Sequence, residues 1–448
     1  MFSLTGTLPS TFGALSSLVS INLYRNSISG TLPSELGALS LLTFFAANSN
    51  KLSGTVPAAV WQLRSLVSFN INSNSFSGAL PLSFSSTLTS LDLSFNSFTG
   101  GLPVSCGSLL DLNVQRNSLT EPFAAGTTFD KLTSLNFAQN SITGTLPAAL
   151  YFAHSLVSIL GYENSLTGTL ATELGQLPNL QDLELYSNRL TGSIPSELGS
   201  LPLLQNLMVH YNALSGTLPS SLGGLTWLQT LTLAGNRLSG KIPSQLGLLL
   251  NLQALILFDN SFFGSLPSTL GLLAGLGSLD ISSNSLSYTL PAELANLTHI
   301  ASFKVINNPC LFGNPMVRVG GRVGTNYLIT NTSLNSSTPA VSGCPVVSSG
   351  SPTFVNYFGV AFLHGYLAYC PVFLDLNQNE LLDAGEPFAG TSSAGVYTIT
   401  LPQVCVRHAI SHCVFSQENS NCMQLIGGGC FDAILLPSQP ISVNAPLL

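Results

Sequence analysis

Charge is scarce in this sequence. Of 448 residues only 12 are Lys or Arg and 19 are Asp or Glu, so charged residues make up 7% of the chain, against roughly 25% in an average soluble domain. A nucleic-acid-binding surface is excluded on that ground, because phosphate contacts need cations and the net charge is −7. Cysteine is almost missing from the first 300 residues, where Cys106 stands alone; Cys310, Cys344, Cys370, Cys405, Cys413, Cys422 and Cys430 follow. A cysteine-poor body with a cysteine-dense tail points to an oxidising, extracytoplasmic setting. Catalytic signatures are also missing: there is no Gly-x-Ser-x-Gly elbow, phosphate loop or His-Glu-x-x-His, and the few carboxylates are scattered. The chain is therefore expected not to be an enzyme. No basic segment followed by an apolar run opens it, so no signal peptide is visible. It starts with Met1-Phe-Ser-Leu-Thr-Gly-Thr-Leu-Pro9, the middle of a unit that recurs downstream, which reads as an N-terminally truncated frame.

What is present is a repeat. Asn26, Asn50, Asn74, Asn96, Asn117, Asn140, Asn164, Asn188, Asn212, Asn236, Asn260, Asn284 and Asn308 recur mostly every 24 residues, with shorter units around Asn96 and Asn117. An apolar-x-apolar pair precedes each asparagine, as in Leu183/Leu185 and Leu231/Leu233. A Leu-(Ser/Thr)-Gly-x-(Leu/Ile)-Pro segment follows most of them, as in Leu190 to Pro195 and Leu238 to Pro243. The alternation predicts a short strand buried on one face. The asparagine amide can bond backbone groups that a buried turn leaves unpaired. One unit cannot bury its own leucines, so the units are expected to stack into a solenoid with parallel strands on the concave side. Cys106 stands where other repeats place leucine (Leu198, Leu222) and reads as a buried free thiol.

These repeats resemble the plant-type leucine-rich repeat over about residues 1–308. The resemblance implies an α/β solenoid, a right-handed superhelix with a parallel concave sheet, belonging to a receptor-like extracellular protein. After Asn308 the segment Pro309-Cys310 to Pro315 resembles the C-terminal cap of extracellular leucine-rich-repeat domains, and Cys310 with Cys344 is the preferred cap disulfide, the sequence leaving the connectivity open. Residues 309–352 are assigned to this cap and a polar linker, and 353–448 to a small all-β cysteine-containing module.

The concave face is written by the residues between and after the paired leucines. In most repeats these are Asn, Ser, Thr or Ala, but one cluster presents Tyr162, Glu163, Glu184, Tyr186, Met208, His210, Tyr211, Phe258 and Asp259. Tyr162, Tyr186 and His210 share one column, hence neighbours about 5 Å apart. Large rigid aromatics favour contact with a partner. The expected function is recognition or adhesion, binding a protein, peptide or glycan on this strip. The alternatives are a structural cell-wall or matrix protein, and then an enzyme inhibitor or an ice-binding protein. The last would use the interrupted column Thr7, Thr31, Thr55, Thr145, Thr169 and Thr217.

The tail carries the remaining motifs. Asn296-Leu-Thr, Asn331-Thr-Ser and Asn335-Ser-Ser are glycan-acceptor sequons. Residues 357–374 run without a formal charge; Pro371, His364 and the lack of a basic flank favour two strands broken near Gly365 over a membrane span. A membrane anchor is left to a segment outside this chain. Asp375, Asn377, Asn379, Asp383 and Glu386, with the Leu381 carbonyl, fall at the positions of a twelve-residue Ca²⁺ loop, although Glu380 replaces the usual glycine. The stretch 365–400 resembles calcium-binding β-sandwich modules of bacterial surface adhesins, which implies Ca²⁺ as the cofactor. Cys405, His408, His412 and Cys413 have zinc-like spacing, but disulfides are the more economical account beside Cys422 and Cys430.

Overall fold

The computed structural model describes residues 3–308 and 310–312, and beyond them only the strand segments 327–328, 354–360, 371–373, 388–390, 396–402, 413–415 and 425–427. The apolar-x-apolar pairs form one continuous parallel sheet of 14 strands, from Ser20–Asn22 to Tyr327–Leu328. Register is uniform. Asp182–Glu184 pairs residue for residue with Ser158–Leu160 on one side and Asn206–Met208 on the other. Leu174, Leu177, Leu180, Leu183, Leu185 and Leu198 are fully buried, and the equivalent leucines of neighbouring repeats pack against them. Each such burial stabilises by about 1.5–3 kcal/mol, and no repeat obtains it alone.

Each asparagine joins two repeats. Asn188 Nδ2 donates to the carbonyls of Leu185 and Tyr186 in its own turn and Gly161 in the previous one, while its Oδ1 accepts the Leu166 N–H. The Oδ1 bond recurs at every one of the thirteen asparagines, from Leu4 N–H on Asn26 to Leu286 N–H on Asn308. The residue just before each asparagine has φ between 50° and 61°, and only Gly235 among the thirteen is a glycine. A left-handed conformation costs an ordinary residue about 1–2 kcal/mol, and the asparagine bonds offset it in every unit.

The return side differs from the α/β expectation. It is built of five-residue 3-10 turns such as Ser196–Ser200, and among the described residues the only α-helix is the single turn Ala58–Trp61. The turn starts after Pro195, whose carbonyl accepts the Leu198 N–H at 3.3 Å. A slim turn matches strands spaced about 4.8 Å apart better than an α-helix some 10 Å wide. Gly199 makes the stacking feasible: a Cβ there would run into the backbone of Ser221 in the next repeat.

A second parallel sheet, not anticipated from the sequence, follows the asparagines. Five strands from Thr5–Thr7 to Ser97–Thr99 form one part and five from Ser215–Thr217 to Cys310–Phe312 another, with the pair Thr143–Gly144 and Ser165–Leu166 between. It breaks after Ser97–Thr99, where Leu119-Thr120 is followed by Glu121-Pro122 in place of the usual glycine and the residue after it, and proline has no N–H to give the ladder. Two segments within the stretch assigned to cap and linker continue the sheets: Cys310–Phe312 pairs with Ser285–Thr289, and Tyr327–Leu328 pairs with Ser302–Lys304. Farther on, Phe354–Val360 pairs antiparallel with Val396–Pro402, and Pro371–Phe373 with Phe388–Gly390. Cys344, the proposed partner of Cys310, and the rest of the module assigned to 353–448 lie outside the described residues. Among the described residues no helix is long and apolar enough to cross a membrane.

Candidate functional site

Five consecutive repeats, those ending at Asn164 to Asn260, set the strip apart. In each, the residue two before the asparagine leaves the strand facing the concave side: Tyr162, Tyr186, His210, Ala234 and Phe258. The uniform register brings the rings together as their spacing predicted. Tyr162 and Tyr186 stack at 4.5 Å between centroids, 4° from parallel, and Tyr186 and His210 at 4.3 Å and 12°. The rings are half-buried because their faces cover one another, so the column offers edges and hydroxyls rather than open faces. Gln115, two repeats away, reaches across Ala138 to donate from Nε2 to the Tyr162 hydroxyl at 2.8 Å.

Tyr211 behaves differently. Its ring is 50% exposed and meets His210 at 5.3 Å and Phe258 at 6.2 Å, both nearly edge-on. Gly235 explains its position, since a Cβ on that glycine would collide with the Tyr211 ring. The small pair Ala234-Gly235 thereby makes one run of five rings out of three stacked rings and an outlying phenylalanine. Sequence reasoning missed this pair, although small residues in columns otherwise holding rings were the available signal.

Burial sets the ionisation of the strip. His210 is lowered to about 4, so its imidazole is neutral at neutral pH, and its Nδ1 is a buried nitrogen with no hydrogen-bond partner in the protein. Tyr186 is pushed up to about 12 by burial, then by Tyr162 and the carboxylates of Glu184 and Glu163. Tyr162 is raised by burial and then by Glu184 and Glu163. Glu184 is half-buried and raised, by burial first and Asp182 second. Glu163 accepts a bond from Gln139 Nε2 at 3.1 Å, and Asp182 one from Asn206 Nδ2 at 2.7 Å. Glu163 and Asp259 are exposed, and Met208 is half-buried between Glu184 and Thr232 in its column.

The strip is also the longest run of repeats without a backbone cap; the repeats ending at Asn50 and Asn308, with Ala46 and Lys304 at the cap position, lack one singly. In six other repeats an Asn or Asp four residues before the repeat asparagine caps the amide two residues on: Asn22 for Tyr24, Asn70 for Asn72, Asp92 for Ser94, Asn113 for Gln115, Asn136 for Ala138 and Asp280 for Ser282. The strip has Leu160, Glu184, Met208, Thr232 and Ile256 at that position, and no such cap forms. Among the described residues, the amides of Tyr162, Tyr186, His210, Ala234 and Phe258 find no protein acceptor.

Other candidate residues separate from the strip. Cys106 is free and buried, its thiol pushed up to about 12 by burial and then by Asp130, as a packing residue would be. Asn296 is exposed at the end of the turn Ala292–Asn296. Asn331, Asn335 and the loop residues Asp375, Asn377, Asn379, Leu381, Asp383 and Glu386 lie outside the described residues. Among the described residues no cluster of His, Cys, Asp and Glu is arranged to hold a metal.

With this geometry, the relation to known proteins can be stated. Residues 17–39, 87–109, 131–152, 179–201, 227–249 and 275–297 match the Leucine Rich Repeat family model. The solenoid is a run of leucine-rich repeats. Its architecture is similar to that of PEPR1 in the PEPR1–AtPEP1 crystal structure, at 32% identity and a TM-score of 0.64, over 69% of this chain and 44% of that one. It is similar to the plant peptide hormone receptor RGFR1 in complex with RGF2, at 32% identity and a TM-score of 0.62, over 68% and 53% of the two chains. The Arabidopsis receptor kinase HAESA, in complex with the peptide hormone IDA and the co-receptor SERK1, matches at 31% identity and 0.61, over 70% and 61%. The leucine-rich-repeat chain thus spans 44% to 61% of the length of these chains. No curated protein matches its sequence.

Proposed function

We propose that this leucine-rich-repeat chain is an extracellular recognition module that binds a peptide or a protein segment along the concave strip from Tyr162 to Asp259. The observation carrying this reading is the contrast in satisfied groups. Where Asn and Asp caps occur, the concave backbone is bonded within the protein; along the five aromatic repeats the amides are uncapped beside half-buried rings. An extended segment brings carbonyls for those amides and side chains for the rings. The similarity to plant receptors solved with peptide hormones supports a peptide over a glycan. Binding falls to a few rigid anchors, so replacing one by alanine costs about 1–3 kcal/mol. The test is to pan the full chain against a displayed random dodecapeptide library, then measure Tyr186→Ala, Phe258→Ala and Asn70→Ala. The first two are expected to lose affinity and the third to keep it; equal binding by all three assigns the ligand to another surface.

The tail carries a separate proposal, that Asp375, Asn377, Asn379, Asp383 and Glu386 bind Ca²⁺. Calorimetric titration of the full chain is expected to show uptake that Asp375→Ala loses; identical titrations remove the site.

A further inference from the structure

We propose that the ligand contributes an arginine, its guanidinium lying on the exposed ring of Tyr211 with Glu163 and Asp259 as flanking counter-ions. This rests on the peptide reading of the strip and names the chemistry of its central contact.

The arrangement comes from one column. The residues just before the asparagines of the five repeats are Glu163, Ser187, Tyr211, Gly235 and Asp259, an aromatic ring with a small residue and then a carboxylate on either side. With strands about 4.8 Å apart, each carboxylate stands about 10 Å along the solenoid from the residue that carries the ring. On the Glu163 side the small Ser187 separates carboxylate and ring, and on the Asp259 side the Tyr211 ring itself lies over Gly235. The ring is held in place, edge-on to His210 and Phe258 and seated over the glycine, so ordering it costs the ligand little.

Charge selects the occupant. Across the strip the outward positions hold Glu163, Asp182, Glu184 and Asp259 and no lysine or arginine. Among the described residues the one ion pair, Lys304 with Asp280 at 3.4 Å, lies beyond the strip. The exposed Arg189 and Arg237 follow the asparagines of two of these repeats without forming an ion pair with the strip's carboxylates, so a cation enters a net negative field. A guanidinium suits it better than an ammonium, because it can lay its plane on a ring while its edge N–H groups reach a carboxylate. The solenoid already contains that pairing in the same column: Arg116 Cζ sits 5.2 Å over the ring of Phe95, and these residues precede Asn117 and Asn96.

The test uses the full chain and a displayed random dodecapeptide library. Enriched peptides are expected to share an arginine. Resynthesis with citrulline keeps the plane and removes the charge, and resynthesis with lysine does the reverse; each should weaken binding at least tenfold. Tyr211→Ala and the pair Glu163→Gln with Asp259→Asn should weaken the arginine peptide at least tenfold and leave the citrulline peptide nearly unaffected. Gly235→Ser shifts the ring without deleting it and should act like Tyr211→Ala, at a position where Ser187 shows serine is accommodated. Unchanged thermal midpoints exclude misfolding as the cause. Strip-dependent peptides that lack arginine, or that tolerate citrulline, overturn this inference and leave the peptide reading standing. A selection giving no peptide sensitive to Tyr186→Ala or Phe258→Ala overturns both.

Discussion

The two halves of the concave face share one backbone and differ in what that backbone has left over. From Ser20–Asn22 to Ser134–Asn136, with Phe44–Ala46 as the exception, small polar side chains bond to each other and to the turn above them. Asp92 accepts from the Ser94 amide and hydroxyl, and from Asn72 Nδ2 at 2.6 Å. From Ser158–Leu160 to Ala254–Ile256 the same positions hold Leu, Glu, Met, Thr and Ile, and the column above them is aromatic except at Ala234. The first half spends its hydrogen-bonding capacity internally. The second carries rings above its core and leaves the amides beneath them uncapped, while Glu163 and Asp182 are bonded within the protein. Equal strand geometry thus supports two kinds of surface, and the side chains at two columns decide which.

The largest expected effect falls on what both halves share. Asn188→Ala removes three donated bonds and one accepted bond linking two repeats, leaving the buried Leu166 amide unpaired and the Gly161 carbonyl with only the Asn164 amide as donor; a loss of about 3 kcal/mol is expected by urea unfolding. Tyr186→Ala, in the strip above it, should cost well under half of that. A smaller loss for Asn188→Ala than for Tyr186→Ala would mean the stack, not the ladder, holds these repeats together.

Carboxylates should behave oppositely in the two halves. Asp92→Ala removes a cap and a side-chain partner in the first half and should destabilise by about 1–2 kcal/mol at pH 7. Glu184→Gln removes a half-buried charge whose pKa is raised, by burial and then by Asp182, and should leave stability unchanged or raise it by about 0.5 kcal/mol. Because that pKa is raised, the charge destabilises the fold above its titration, and the gain from Glu184→Gln should fade as the pH drops. Comparable losses for both variants would erase the distinction between the halves.

The smallest effect is pH-dependent. His210 sits at about 4 in the folded chain against an ordinary 6.5, so the unfolded chain binds the proton first as the pH falls. Its contribution is present above about 6.5 and fades toward 4, by about 1 kcal/mol once solvent screening of a half-exposed ring is allowed for. His210→Gln should flatten the unfolding midpoint between pH 6.5 and 4 relative to the parent. An unchanged slope would show that the stack does not hold the imidazole neutral.

The sequence by itself determined the repeat, its phase, the buried leucines and the column holding Tyr162, Tyr186 and His210. Those follow from a period near 24 and an alternation of two, which leave one stacking solution for the leucines. Only the tertiary structure decided the second sheet, the 3-10 returns, the caps at Asn70 and Asp92, and the seat that Gly235 makes for Tyr211. The second sheet and the Tyr211 seat are contacts between residues about 24 apart, and the local caps and returns take their form from the spacing to the neighbouring repeats. A strained residue sits before every asparagine, although twelve of the thirteen are not glycine. No local preference announces that strain, because the bonds that offset it come from the asparagine and the repeats on either side.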